Sequence, residues 1–226
     1  MIGKIVDKKI VVQSTLRVTF QLDQPVSFKP GQYCFVTLKG IKKQFSINNP
    51  PSQNDIITIT TRLSDSVFKK TLHALPVGEE VELGPIAGVF TLPENAFKPL
   101  VLIAGGIGIT PFMSMLSYIQ EEKLNYKITL IYSNRNQTST AYLHQLQELA
   151  KQLPNFKLVL TMTEDTGWSG EKRKVDENFI KAYFPDVNDY LYMVVGPPAM
   201  VEAVENSLFK AGIEKDNIKT ENFTGY

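Results

Sequence analysis

The sequence predicts two domains: an N-terminal antiparallel β-barrel over residues 1–97, then an α/β domain over residues 98–226 built on a doubly wound five-stranded parallel sheet. Three observations predict them. The hydrophobic period changes midway, from strict alternation to apolar runs that are each followed by a helical pattern. Pro, Gly, Asn and Asp punctuate the first half at short intervals, as the turns of an antiparallel barrel require. The stretch "LPENAFKP" separates the two patterns and places the boundary near Glu94–Lys98.

In the first half, "KKIVVQSTLRVTFQL", "GQYCFVTL", "KQFSIN", "DIITITTRL" and "EEVELGPIAGVFTL" supply about six strands. One interruption is helical. "LSDSVFKKTLHALPVG" spaces Val67, Leu72 and Leu75 near the helical period, opens with Ser64 and Ser66 as candidate N-caps, and ends before Pro76 and Gly78. In the second half strands and helices alternate: "LVLIA" then "PFMSMLSYIQEE", "KITLIYS" then "AYLHQLQELAKQ", "KLVLTM" then "DENFIKAYF", "YLYMVV" then "PPAMVEAVENSLFKAG", and a last strand "IKTENF". Apolar strands between amphipathic helices indicate a parallel sheet covered on both faces.

Composition narrows the chemistry. The 24 Lys and Arg against 23 Asp and Glu leave a formal charge of +1, too small a field to gather nucleic acid or anionic lipid. Cys34 is the one cysteine, so an internal disulfide and a Cys₄ iron–sulfur cluster are excluded; with only His73 and His144, no zinc site of several Cys and His ligands can be assembled. Redox chemistry would need an organic cofactor or a partner. Cys34 alternates within a strand pattern and reads as a packed thiol. The N-terminus lacks the apolar core of a secretory signal, which predicts a cytoplasmic protein. Pro99–Gln120 is uncharged over a membrane-spanning length, but Gly105, Gly106, Gly108 and Pro111 divide it into strand, loop and helix start.

Two strand ends share one design. "LVLIAGGIGITP" and "YMVVGPPAM" run from an apolar strand through glycine to a proline suited to the first turn of a helix. Gly105, Gly106 and Gly108 permit close backbone approach, and the helix starting at Pro111 directs its N–H groups toward an anion such as a pyrophosphate; Ile109 in the first turn and Gly196, Pro197 and Pro198 in the second are candidate binding residues with them. An ordinary βα turn is the alternative. If the first and fourth strands of this sheet are neighbours, both turns face one crevice. A third strand end, "IYSNRN", places Ser133, Asn134 and Arg135 where a dinucleotide fold uses an acidic residue for the ribose; Arg135 with Ser133 suits a 2′-phosphate, unless it is a solvated surface arginine.

The ordered set "KPGQYCFVTL", "KKQFSINNPP", "LGPIAGVFTL", "LIAGGIGITPFMSML", "LIYSNRN", "VVGPPAM" and "TENFTGY" resembles the ferredoxin–NADP reductase superfamily, among its stand-alone bacterial flavoproteins, over almost the whole chain. The resemblance implies an FAD-binding barrel and an NAD(P)-binding domain, with NADPH or NADH as co-substrate and hydride passing from nicotinamide C4 to flavin N5. It assigns Lys43, Gln44, Phe45, Ser46 and Ile47 to the flavin, Phe45 by stacking and Ser46 near N5. It assigns Arg62, Ser64, Asp65, Ser66 and Val67 to the segment whose helix start meets the FAD pyrophosphate. On the nucleotide side it implies roles for Thr110, Met200 and Phe223 beside the residues already named. Glu221 and Tyr226, with Phe223, match a terminal E-x-F-x-G-Y pattern; they join Ser46 as candidate catalytic residues, with Tyr226 a gate over the flavin face. Lys43 stands where the family has arginine, and Val195 where it has a cysteine beside the nicotinamide.

The function so predicted is an NAD(P)H-dependent FAD oxidoreductase that passes electrons to a separate acceptor protein: a ferredoxin, a flavodoxin, or a haem or oxygenase component. No metal, nucleic acid or membrane span enters this reading, and a monomer suffices. The alternatives are a reductase of free flavin and a non-catalytic flavin- or nucleotide-binding subunit. Trp168, in "TEDTGWSGEKRK", reads as loop packing, a lid or a partner contact.

Overall fold

The computed structural model describes residues 1–94 and 97–223. They fall into two compact units, Met1–Leu92 with Thr110–Lys123, and Pro93–Ile109 with the chain from Leu124 onward.

The first unit is a barrel-like antiparallel sheet of β1 (Ile2–Val12), β2 (Thr15–Leu22), β3 (Tyr33–Leu38), β4 (Ile41–Ser46), β5 (Ile56–Arg62) and β6 (Glu80–Ala87), ordered β4-β3-β6-β1-β2-β5. Its two end strands approach one another just past β4, where Asn48 N donates to Thr58 O at 2.9 Å. Alternation produces this shape. In β2, Leu16, Val18, Phe20 and Leu22 turn into a core shared with Ile5, Val36, Ile57, Ile59, Val81 and Leu83. The predicted helix is α1 (Val67–Ala74), which buries Phe68 and Leu72. Its N-cap is Ser66, whose Oγ accepts from Lys69 N at 3.3 Å, whereas Ser64 lies two residues outside the helix.

The helix α2 (Thr110–Glu121) packs within this first unit, although it follows the first strand of the second sheet. Its Phe112 ring lies 6.0 Å from that of Phe90, Ser114 Oγ donates to Asn49 O at 2.8 Å, and Ser52 donates to Glu121. Hydrogen bonding explains the second asparagine of "SINNPP", Asn49. Its amide nitrogen donates to Gln53 O and Ile56 O, and its Oδ1 accepts from Thr58 N. One buried side chain thus satisfies three backbone groups of the loop.

The second unit carries β7 (Leu100–Gly105), β8 (Ile128–Asn134), β9 (Phe156–Met162), β10 (Leu191–Gly196) and β11 (Ile218–Asn222) in a parallel sheet ordered β11-β10-β7-β8-β9. The first and fourth strands are therefore neighbours, and the strand order reverses between them. All of β7 is buried, as a strand covered on both faces must be. Val101, Ile103, Val194, Val201, Val204 and Leu208 belong to its core, with Phe179 and Ile180 from α4 (Glu177–Tyr183); α3 (Leu143–Gln152) and α5 (Pro198–Lys210) complete the helices. Among the described residues no helix is long and apolar enough to cross a membrane, and no group of three or more His, Cys, Asp and Glu could hold a metal.

Candidate functional site

In the first unit the register of β3 and β4 pairs Lys43 with Val36 and Phe45 with Cys34, so Lys43 and Phe45 share the face of two core residues. Gln44 and Ser46 take the opposite face. Cys34 is fully buried and its thiol is pushed up to about 12 by that burial, which leaves it chemically inert. Ser46 is buried and Gln44 exposed. Phe45 stacks on Phe68 of α1, with centroids 5.6 Å apart and planes at 27°. Ile47 is turned inward: its side chain lies in the barrel core and its amide donates to Gln32 O, so it offers a ligand neither.

The Phe45–Phe68 contact sets the first turn of α1 against β4, beside Lys43. Lys69, which the sequence did not single out, is only 7% exposed there. Burial first, and then the charge of Lys43, holds its ammonium below the usual lysine range. Two like charges brought together by the fold make this start of α1 cationic. The approach is open: Arg62 is half-buried, while Ser64, Asp65, Ser66 and Val67 are exposed. Asp65 is paired with Lys70 at 2.9 Å, and that ammonium holds its carboxyl below the usual range. A cationic helix start of this kind could hold an anion such as a diphosphate.

In the second unit the two glycine turns adjoin. β7 passes from Gly105 into a tight 3₁₀ turn, Gly106–Ile109, and then into α2, so Pro111 is the second helical residue; Pro198 opens α5 with Pro197 as its N-cap. Gly106 has φ +55°. The other glycines differ from expectation in their physical reason. A Cβ on Gly108 would lie 2.4 Å from Val195 O, and a Cβ on Gly105 or Gly196 would lie 2.7 or 2.8 Å from Met200 Sδ. Close packing of β7, β10 and α5 demands these glycines, with Met200, a flexible thioether, standing over two of them. Ile109, Thr110 and Pro111 are buried, so of this turn only Gly106 is partly exposed. Tyr132, also unflagged by the sequence, fixes it: its hydroxyl donates to Gly106 O at 2.9 Å.

Ser133 and Asn134 end β8, with Ser133 in register with Gly105. Asn134 is 6% exposed and neither of its amide atoms has a hydrogen-bond partner. Such an unsatisfied donor–acceptor pair beside a glycine turn suits a polar ligand such as a nucleotide. Arg135 is exposed and lies 3.7 Å from Glu164 Oε1, so a carboxylate does stand at this strand end. It arrives from the loop after β9, which no pattern within "IYSNRN" could reveal.

On β11, Glu221 is in register with Val195, and Phe223 N donates to Gly196 O at 2.9 Å. Burial raises the Glu221 carboxyl to about 7, and its Oε2 has no hydrogen-bond partner. Tyr226 lies outside the described residues. Trp168 is held in its loop by Nε1 donating to Glu171 O at 3.1 Å, in keeping with loop packing.

Residues 102–206 match the family model of the oxidoreductase NAD-binding domain. The chain is 32% identical over 211 residues to the reductase component of a phenol 2-monooxygenase from Pseudomonas, covering 90% of this chain and 60% of the relative. It is 25% identical over 214 residues to a terephthalate 1,2-dioxygenase reductase component from Comamonas, covering 93% and 63%. The chain thus spans roughly three-fifths of the curated relatives it matches. In fold it resembles an Amycolatopsis cytochrome P450 reductase (TM-score 0.87, 23% identity, covering 99% of this chain and 69% of that one). It equally resembles a ferredoxin–NADP⁺ reductase from Neisseria gonorrhoeae solved with FAD and NADP (TM-score 0.84, 20% identity, covering 98% of each). Residues 102–206 are thus similar to an oxidoreductase NAD-binding domain, and the chain as a whole is similar in sequence to these reductase components and shares the two-part fold of the solved reductases.

Proposed function

We propose that the chain is an FAD-containing, NAD(P)H-dependent reductase that delivers electrons to a separate acceptor protein, residues 1–97 holding the flavin and residues 98–226 the nicotinamide nucleotide. One observation carries the reading: Gly105 and Gly196 adjoin at the reversal of a parallel sheet whose segment 102–206 matches an NAD-binding domain. FAD, when bound, accepts a hydride and can release its electrons singly.

The chain's own residues orient and hold. Lys43 and Lys69 attract the diphosphate, while the amides at the start of α1 add the positive end of the helix dipole. Phe45, already backed by Phe68, offers a rigid aromatic surface to an isoalloxazine ring. Gly106, pinned by Tyr132, presents backbone where a nucleotide phosphate approaches. Glu221 holds its proton to about neutrality and so is a hydrogen-bond donor below pH 7 and an acceptor above it. The thiol missing at Val195 removes one contact, but orientation and electrostatics remain.

The relatives named reductase components of a phenol monooxygenase and of a terephthalate dioxygenase support an oxygenase component as the acceptor class. A cytoplasmic monomer is part of the same proposal. The test is direct. Purified protein is expected to be yellow and to bleach anaerobically with NADH or NADPH. Colourless protein that oxidises NAD(P)H only when flavin is added would replace this reading with a free-flavin reductase, and absence of both behaviours would leave a non-catalytic subunit.

A further inference from the structure

We infer that the nucleotide this chain accepts is unphosphorylated at its ribose 2′ position, so that NADH and not NADPH is the electron donor, because the carboxylate of Glu164 stands beside the arginine that a 2′-phosphate would need. The inference rests on the NAD(P)H reading above and sharpens it. In a doubly wound sheet the strand beside the glycine turn ends next to the adenosine ribose, where a carboxylate accepts from a 2′-hydroxyl and an arginine accommodates a 2′-phosphate. β8 is that strand, in register with β7 through Ser133 and Gly105. Arg135 is the first residue beyond it.

The loop that carries the carboxylate is placed by backbone. Thr163 N donates to Asn134 O at 2.9 Å and Glu164 N donates to Arg135 O at 2.8 Å, so the loops after β8 and β9 are tied together residue by residue. Glu164 Oε1 then lies 3.7 Å from Arg135 Nε. Asp165 follows, accepting from Gln137 N at 3.2 Å and Gly167 N at 3.0 Å; the Gln137 amide foremost keeps its carboxyl below the usual range, and it is ionised at neutral pH. A 2′-phosphate would bring about two negative charges to a strand end where two carboxylates, Glu164 and Asp165, already stand against the one cation of Arg135. A 2′-hydroxyl would instead find an acceptor in Glu164.

Asn134 supplies the second observation. It shares a strand face with Tyr132, whose hydroxyl reaches Gly106 O, and its buried, unpaired amide is a neutral donor and acceptor on the glycine-turn side. That chemistry matches ribose hydroxyls rather than a dianion.

The nucleotides 5′-AMP and 2′,5′-ADP differ only in the 2′-phosphate, and their binding to the whole protein by calorimetry reads the site without turnover. The expected result is 5′-AMP bound roughly tenfold or more tightly than 2′,5′-ADP, with Glu164→Gln narrowing the ratio to within about threefold. Tighter binding of 2′,5′-ADP by the unaltered protein, or a ratio unmoved in Glu164→Gln, overturns the inference while leaving the NAD(P)H reading intact. Binding of neither nucleotide overturns both.

Discussion

Glu221 makes stability depend on pH in a direction opposite to that of most carboxylates. Its carboxyl rises from an ordinary 4.5 to about 7 because burial disfavours the charged form. Below pH 4.5 the group is neutral in both folded and unfolded chains and contributes nothing. Between 4.5 and 7 the unfolded chain ionises while the folded one keeps its proton, so stability falls as pH rises; above 7 the whole penalty is present. A rise of about two and a half pH units corresponds to about 3 kcal/mol, which partial solvent access reduces to about 1–2 kcal/mol. Glu221→Gln keeps the shape and removes the charge. It should leave stability nearly unchanged at pH 4.5 and raise it by about 1–2 kcal/mol at pH 8.5, an increase of roughly 3–6 °C in the thermal midpoint for a chain of this size. Scanning calorimetry of both proteins across that range is the assay. Equal midpoint differences at the two pH values would refute the reasoning.

Gly108→Ala should destabilise by roughly 1–3 kcal/mol in urea titrations, because its Cβ meets the rigid carbonyl of Val195, whereas Gly105→Ala should lose less than about 1 kcal/mol as Met200 swings aside. Lys69→Met should weaken FAD binding about tenfold by fluorescence titration and leave riboflavin, which has no diphosphate, unaffected; equal losses for both would point to misfolding of α1 instead. Cys34 should resist a disulfide reagent in the native protein at pH 8 and react fully in denaturant, and rapid native labelling would contradict its burial.

Local rules carried much of this in the sequence. Alternation in "TLRVTFQL" became the inward face of β2, the unbroken run "LVLIA" became a wholly buried parallel strand, and the proline of "VVGPPAM" opened a helix. What escaped was tertiary. Glu164 reaches Arg135 across 29 positions through a neighbouring strand end, and Lys69 gains its meaning only from Lys43, 26 positions earlier on another element. The glycines of the first turn were legible as close approaches, but the atoms that approach are Met200 and the backbone of β10.

The placement of α2 bears on how the chain acquires its structure. The polypeptide leaves the first unit after Leu92, lays down β7, and returns at Thr110 to finish what it began. During synthesis the barrel cannot gain its helical partner until Lys123 has been made, so its maturation waits on a segment encoded after the start of the other unit. A cut near residue 97 would therefore release no self-sufficient flavin module: Phe90 would lose its aromatic neighbour and the Asn49 carbonyl its donor. The two halves are interleaved in the gene order itself, which makes exchanging either one by simple fusion a poor strategy and favours swaps that carry Thr110–Lys123 along with the barrel.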